Sequence, residues 1–331
     1  MPSPTSQQIQ GTLHVDRYLT GFSVNYVLDR KNFVAQQASS TIPVLKQTDL
    51  YVVYERGYFW RDEAAPRPLG GRPQQVGYKF DQGTYNATEY ALEHVIDDRQ
   101  RANVDDPIRL DENATTLLTQ KHMIKQDRIW AQKFFTTGLW STEAFGVDTV
   151  TLATQFLRFN DAHSDPIGTI DQYKDVINQK TGFMPNTLVL GAGVRRVLRT
   201  HPDISDRIKY TQTGIADEDV LAKLFEVPKV ICARSVYNAA AEGATDNFQY
   251  IVDSKAMLLA YIEPNPGLDS PTAIGMFAWT GLIPGVTNTL GGVIERGRDD
   301  RAHSDYFQGR MAWDLEQVAP DLAVFFSTAI D

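Results

Sequence analysis

Between residues 111 and 137, DENATTLLTQKHMIKQDRIWAQKFFTT, apolar positions recur at three- and four-residue steps. Ala114, Leu117, Leu118, Ile124, Ala131, Phe134 and Phe135 form one stripe, and Glu112, Thr116, Lys125, Gln126 and Lys133 take the remaining, wetter arc. The stretch holds neither Gly nor Pro, so the pattern predicts one helix of roughly 27 residues, about 40 Å long at the helical rise. Asp106 and Pro107 offer a cap and a first-turn proline, Asp111 and Glu112 put negative charge at the positive end of the helix dipole, and Gly138 offers a left-handed stop. A compact chain of this length has a radius of gyration near about 20 Å, so the helix crosses most of the body as a spine.

Upstream the pattern changes to strands. DLYVVYERGYFW, from Asp49, and VGYKFDQGTYNATEYALEHVI, from Val76, are dense in Tyr, Val and Phe and predict extended runs. Between them RDEAAPRPLGGRPQQ carries three prolines, two adjacent glycines and three arginines, which predicts a long exposed loop joining two arms. Exposed strands this aromatic are an aggregation liability unless covered, which points to a partner surface. Residues 1–46 have no long amphipathic period and predict an arm lying along other surfaces, with Tyr18, Phe22, Tyr26 and Phe33 as anchors.

Downstream, a helix is expected over 167–180, opened by His163, Ser164, Asp165 and Pro166. Then come a buried strand (187–190), a helix (194–199), a helical turn (202–210), a capped helix (217–225) and a second buried strand (229–232). Further strands are expected at 248–253, 257–262, 273–279 and 291–295, broken by Pro264, Pro266, Pro271 and Pro284. The final run, DYFQGRMAWDLEQVAPDLAVFFSTAI, predicts two strands returning to the spine, and no fixed-period repeat occurs.

Composition narrows the function. The chain has 331 residues, 42% hydrophobic and 22% charged, which is ordinary globular material. A net charge of -9 argues against a surface built to grip a nucleic-acid backbone. The single cysteine, Cys232, excludes an internal disulfide framework and reads as a buried inert thiol in a reducing compartment. No apolar run approaches the roughly 18 residues of a bilayer span, and MPSPTSQQIQ lacks the features of a signal peptide, so a soluble protein, cytosolic at synthesis, is expected.

Chemical motifs are sparse. LVLGAGVRRVL (188–198) runs from a strand through Gly191, Ala192 and Gly193 into a helix, as in a dinucleotide fingerprint. Arg196 stands where the third glycine belongs, and no acidic residue ends a second strand at the expected distance. A nucleotide-binding enzyme using this turn is therefore the alternative reading, with a small-ring oligomeric binding protein as another. His14, His94, His122, His163, His201 and His303 lack ligand spacing, and neither a zinc motif nor a nucleophile elbow occurs. His122 reads as a partly solvated helix residue, and the pairs Asp97/Asp98, Asp105/Asp106 and Asp299/Asp300 read as solvated turns. No catalytic, cofactor or metal residue is assigned.

Two stretches carry a resemblance. DDRQRANVDDPIRLDENATTLLTQKHMIKQDRIWAQKFF leads into the spine, and LVLGAGVRRVLRTHPDISDRIKYTQTGIADEDVLAKLFEVPKVICARSVYN follows it. With the loose arm and the long two-stranded loop, the chain resembles, over about its whole length, the major capsid proteins of tailed bacteriophages. That resemblance implies an α+β Hong Kong 97-like capsid fold. Its parts would be an N-terminal arm (1–48), an extended β-hairpin loop (49–95), a peripheral domain with the spine helix (96–165), an axial domain (166–296) and C-terminal strands returning to the peripheral domain (297–331). It further implies a structural, non-enzymatic subunit of an icosahedral shell around double-stranded DNA, assembled in the host bacterial cytoplasm as hexamers and pentamers, with a portal protein and a decoration protein as further partners. Too little sequence precedes Asp49 for an internal scaffolding segment, so a separate scaffolding protein is expected, and no cross-linking trio is recognised around Lys46 or Lys79. The expected contacts between subunits are Tyr51, Tyr54, Tyr58, Phe59 and Trp60 on the loop, with Arg56, Arg61, Arg67 and Arg72 facing a neighbour's Asp97, Asp98, Asp105 and Asp106.

Overall fold

The computed structural model describes residues 28–67, 69–104, 109–208, 217–267, 270–282 and 292–331, and of Arg56 only the backbone. The anchors expected at Tyr18, Phe22 and Tyr26 lie outside them.

The strands in chain order are β1 (Ser40–Val44), β2 (Thr48–Tyr54), β3 (Phe80–Asn86), β4 (Thr88–Asp97), β5 (Glu143–Val147), β6 (Gln155–Leu157), β7 (Thr187–Gly191), β8 (Lys229–Ala233), β9 (Val236–Asn238), β10 (Phe248–Tyr250), β11 (Met257–Ala260), β12 (Ile274–Trp279), β13 (Gly292–Asp299), β14 (Ser304–Gln317) and β15 (Ala323–Ser327). One sheet runs β6-β5-β15-β11-β7-β8; another runs β1-β12-β14-β13, with β4 also pairing β14. β2-β3 and β9-β10 are separate two-stranded ribbons.

The spine is the helix Leu110–Phe134, of 25 residues. Its buried arc, Ala114, Leu118, His122, Met123, Gln126, Asp127, Trp130, Ala131 and Phe134, lies on the predicted side but contains polar residues. Three expectations are corrected here. Leu117, placed on the stripe, is exposed; Gln126, placed on the wet arc, is 1% exposed; His122 is buried, its Nε2 3.0 Å from the Gly309 carbonyl. The Gly309 backbone approaches because it lacks a Cβ, which would fall 2.9 Å from that nitrogen. The stop differs too. Gly138 has φ +89°, yet the helix has already ended at Phe135, and the Trp140 indole donates to the Phe134 carbonyl at 3.0 Å, satisfying one of the free terminal carbonyls. The expected cap, Asp106 with Pro107, lies outside the described residues.

The body holds two large packed groups of side chains, the first of them built on this helix. Trp130, Phe134, Phe135 and Trp140 meet Val189, Leu258 and Phe325 from one face of the six-stranded sheet and Trp313 and Leu315 from the other sheet. The opposite face of the six-stranded sheet, with Leu188, Leu190, Leu259 and Phe326, is covered by the helix Pro166–Thr181 and by Ala192–Thr200, Pro202–Ile208 and Glu218–Leu224. β7 is buried at every position, as a strand covered on both faces must be. The first C-terminal strand, β14, runs beside the spine, while β15 lies between β5 and β11 in the six-stranded sheet.

Two strand expectations are revised. The run from Asp49 ends at Tyr54 and turns into a short helix, Arg56–Phe59. The run from Val76 becomes a strand only at Phe80 and breaks at Ala87, which is fully buried; β3 before the break pairs with β2, and β4 after it pairs with β14. A single residue thus sends one aromatic run into two sheets.

Candidate assembly surfaces

The β2-β3 ribbon is fixed at its base and bare at its tip. At the base the Phe277 ring of β12 lies between Tyr85, at 4.6 Å and nearly parallel, and Tyr51, at 5.1 Å. Tyr51 is therefore partly taken up by the chain itself. Gly83, directly opposite, leaves room for its ring, since a Cβ there would stand 2.3 Å from it. Beyond the base both strands are largely exposed. The short helix brings Phe59 back onto Tyr54 at 5.8 Å edge to face, and Tyr78 from the other arm meets both, at 5.7 and 5.6 Å.

This cluster stays wet: Phe59 is 58% and Tyr78 61% exposed. Arg61 lies over the Tyr58 ring at 4.5 Å, with the Lys79 ammonium at 5.8 Å from the same ring. Trp60, half-exposed, rests against Gly182, the left-handed cap of the Pro166–Thr181 helix, where a Cβ would stand 3.2 Å from the indole. Arg67 donates to the Gly71 carbonyl within its own loop, and Arg72 is exposed.

The expected acidic counterpart is partly engaged inside the chain. Asp97 caps the short helix Asp98–Asn103 by accepting from the Arg99 amide at 2.7 Å. Asp98 accepts from both Arg298 amino groups, at 2.8 and 3.0 Å, and that guanidinium holds its carboxyl below the ordinary range. The cluster continues through Asp305, which accepts from Arg101, Arg296 and Arg298, and through Asp111, which accepts from Arg101. The result ties the start of the spine to the β13-β14 turn. The side chain of Asp98 remains 42% exposed. Asp105 and Asp106 lie outside the described residues, as does the Arg56 side chain.

The features that suggested chemistry have structural explanations. At the Gly191-Ala192-Gly193 turn, the helix N-terminus that would receive a pyrophosphate is stoppered by the chain. The Val194 amide donates to the Ser254 carbonyl at 3.0 Å, and a Cβ on Gly191 or Gly193 would stand 2.4 and 2.8 Å from the backbone of Asp253 and Ser254. These glycines serve close chain packing.

A buried Ser–His pair, Ser164 and His201, has its Oγ and Nε2 3.0 Å apart. The Nδ1 of His201 accepts from the Asp203 amide at 3.3 Å, and the serine hydroxyl donates to the Asp161 carbonyl at 2.7 Å. The hydrogen therefore sits on Nε2 and points at the serine, a tautomer that cannot take the serine's proton. Among the described residues no group of His, Cys, Asp and Glu is arranged to hold a metal ion, and no helix is long and apolar enough to cross a membrane.

Sequence reasoning missed Asp127. This carboxylate, 1% exposed on the buried arc of the spine, accepts from the amides of Val34 (3.0 Å) and Ala35 (2.8 Å) and from the Ser235 hydroxyl (2.7 Å). Burial pushes its pKa up to about 6, against the lowering effect of those hydrogen bonds. It fastens the segment after Phe33, itself 2% exposed, to the middle of the spine. The signal was positional: Asp127 lies four residues beyond Met123 and three before Trp130, inside the apolar stripe.

No family model matches the chain. Over 236 residues it is 27% identical to the major capsid protein of Burkholderia phage BcepMu, covering 70% of this chain and 73% of that one. A crystal structure of a phage-related protein from Bordetella bronchiseptica superposes with a TM-score of 0.68 at 18% identity, covering 91% of this chain and 94% of that one. The capsid of cyanophage P-SCSP1u gives 0.58 at 12% identity, covering 96% and 93%. The sequence is thus similar to that of a phage major capsid protein, and the fold is the one shared with the cyanophage capsid.

Proposed function

We propose that the chain is the repeating subunit of a closed icosahedral head enclosing double-stranded DNA. Hexamers and pentamers would form from one fold, with the β2-β3 ribbon and the segment before Phe33 reaching neighbouring copies. One observation carries this reading: the tip of the ribbon holds Tyr54, Phe59 and Tyr78 in mutual contact, yet open to water, on a ribbon held at its base and touching the body beyond it through Trp60. A lone subunit gains little from such a patch, whereas a shell interface burying roughly 2,000 to 5,000 Å² needs apolar area of this kind. Head-to-tail contacts close into rings when the rotation allows, and a ribbon with a fixed base and a free tip can absorb the difference between five copies and six.

In the same reading Arg67 and Arg72 face the acidic set Asp97, Asp98, Asp105 and Asp106 of a neighbour and set register more than affinity. A separate scaffolding protein, a portal and a decoration protein complete the particle, which assembles in the host cytoplasm. Electron microscopy with sizing of the expressed chain, alone and with the products of neighbouring genes, tests the proposal. Closed shells or rings of five and six copies are expected. A species of one or two copies under every condition would contradict it.

A further inference from the structure

The β13-β14-β4 part of the second sheet carries the spine on one face, with Phe307 and Gly309 of β14 against Leu118 and His122. The two sides of this layer differ in the sign of their charge. On the spine the ion pairs lie at the two ends: Asp111 with Arg101 and Arg296, Glu112 with Arg109, and Lys133 with Asp314 and Glu316. Between Asn113 and Gln132 the one acid is Asp127, and it is buried. Lys121, Lys125 and Arg128 stand exposed there, at the four- and three-residue steps that set them in one row about 10 Å long. Lys125 lies 5.6 Å from the ring centre of Tyr90 on β4, and Arg128 lies 4.5 Å from that of Tyr237 on β9. None of the three has a carboxylate within ion-pair distance among the described residues, so flanking rings steady the row without neutralising it.

The opposite face of the layer is acidic. Side chains alternate along a strand, so Glu89 and Glu93 of β4, Arg310 of β14 and Glu295 of β13 share the face turned away from the spine. Arg310 lies 2.7 Å from Glu89 and 3.7 Å from Glu295, while Glu93 is exposed with no ion-pair partner among the described residues. A net charge of -9 is silent about placement, and here placement separates the signs across one layer.

The chemistry of the row favours phosphate over protein. Lysine is depleted at protein–protein interfaces, and the helix offers Leu117 and part of Ile124 as apolar area on this face, too little for an interface core. Nucleic-acid backbones are met by unpaired Lys and Arg of this kind. We infer that the open face of the spine is turned towards the enclosed double-stranded DNA, with Lys121, Lys125 and Arg128 on its backbone phosphates and the side of Glu89, Glu93 and Glu295 turned away. Duplex DNA carries a charge every ~1.7 Å of its axis, so the row meets phosphates whatever the sequence. The inference rests on the shell reading above.

The test compares wild-type shells assembled without DNA and wild-type heads filled with DNA, both treated with a small amine-acetylating reagent. Acetylation of Lys121 and Lys125 is expected to be about fivefold lower in filled heads than in empty shells, and to recover when opened heads are digested with deoxyribonuclease. Independently, formaldehyde is expected to join the peptides carrying these lysines to DNA in filled heads. Lys121→Gln with Lys125→Gln should lower the yield of DNA-bound subunit about threefold, with subunit melting unchanged. Equal acetylation in empty and filled particles, protection already complete in empty shells through cover by another protein, or an unchanged cross-link yield would overturn the inference and leave the shell reading standing. Failure of the wild-type chain to form any closed shell would remove both.

Discussion

β7 and β2 are written in much the same alphabet and meet opposite fates. TLVLG in β7 is covered on both faces and flanked on both edges, whereas the alternate residues of TDLYVVY in β2 stand exposed along a ribbon of two strands. The difference lies in what surrounds them. β7 has helices on one side and the spine's aromatic residues on the other; the ribbon has Phe277 at its base and, beyond it, the contact of Trp60 with Gly182. Strand propensity is therefore blind to who supplies the cover, and in this molecule the uncovered strands mark where other copies are expected to sit.

The contrast can be broken at both ends, starting with the largest effect on folding. Phe326, fully buried between Phe156 and Tyr173, belongs wholly to the body; Phe326→Ala should destabilise the subunit by about 3–5 kcal/mol, read from its denaturant midpoint.

Asp127 comes next. Its folded pKa of about 6 stands above the ordinary 3.8, so the folded chain keeps a proton that the unfolded chain releases. This group's contribution is most favourable below about pH 4 and declines as pH rises towards 6, leaving a penalty of about 3 kcal/mol at neutral pH. Asp127→Asn removes the titration, so the stability of the variant relative to wild type should improve by about that amount between pH 4 and pH 7 in paired denaturation curves. A constant difference across that range would show that the carboxyl does not titrate there.

At the tip of the ribbon the effect on folding should almost vanish. Phe59→Ser with Tyr78→Ser should change subunit stability by about 0.5 kcal/mol or less and still abolish shells, as judged by sedimentation. Smallest of all in folding, Arg67→Glu with Arg72→Glu should leave melting unchanged and slow or weaken assembly, the weakening growing less marked at high salt.

Much of the body was legible in the chain. The spine announced itself by length and by the absence of Gly and Pro. The series from Thr187 to Ala233 followed from short apolar runs separated by short helices, because covered strands and amphipathic helices write distinct periods, although the cap expected of Asp217 makes no side-chain hydrogen bond. What escaped depended on distant partners. Asp127 and Gln126 look like surface residues until the segment around Val34 and the sulfur of Met276 are laid against them. Ala87 looks like any small residue, yet it divides β3 from β4 because each pairs with a different strand. The turn at Gly191 imitated a nucleotide site because close backbone packing and phosphate binding both require the missing Cβ. Several of the proposed contact residues already have intrachain partners, and those of Tyr51 and Asp98 lie so far along the chain that no reading of local pattern reveals them.

The most direct measurement is hydroxyl-radical footprinting of Tyr54, Phe59, Trp60 and Tyr78 in dispersed subunits and in assembled particles. The account predicts strong labelling in the subunit and protection of all four on assembly, with Phe326 protected in both. Equal labelling of the four aromatics in subunit and particle would contradict it.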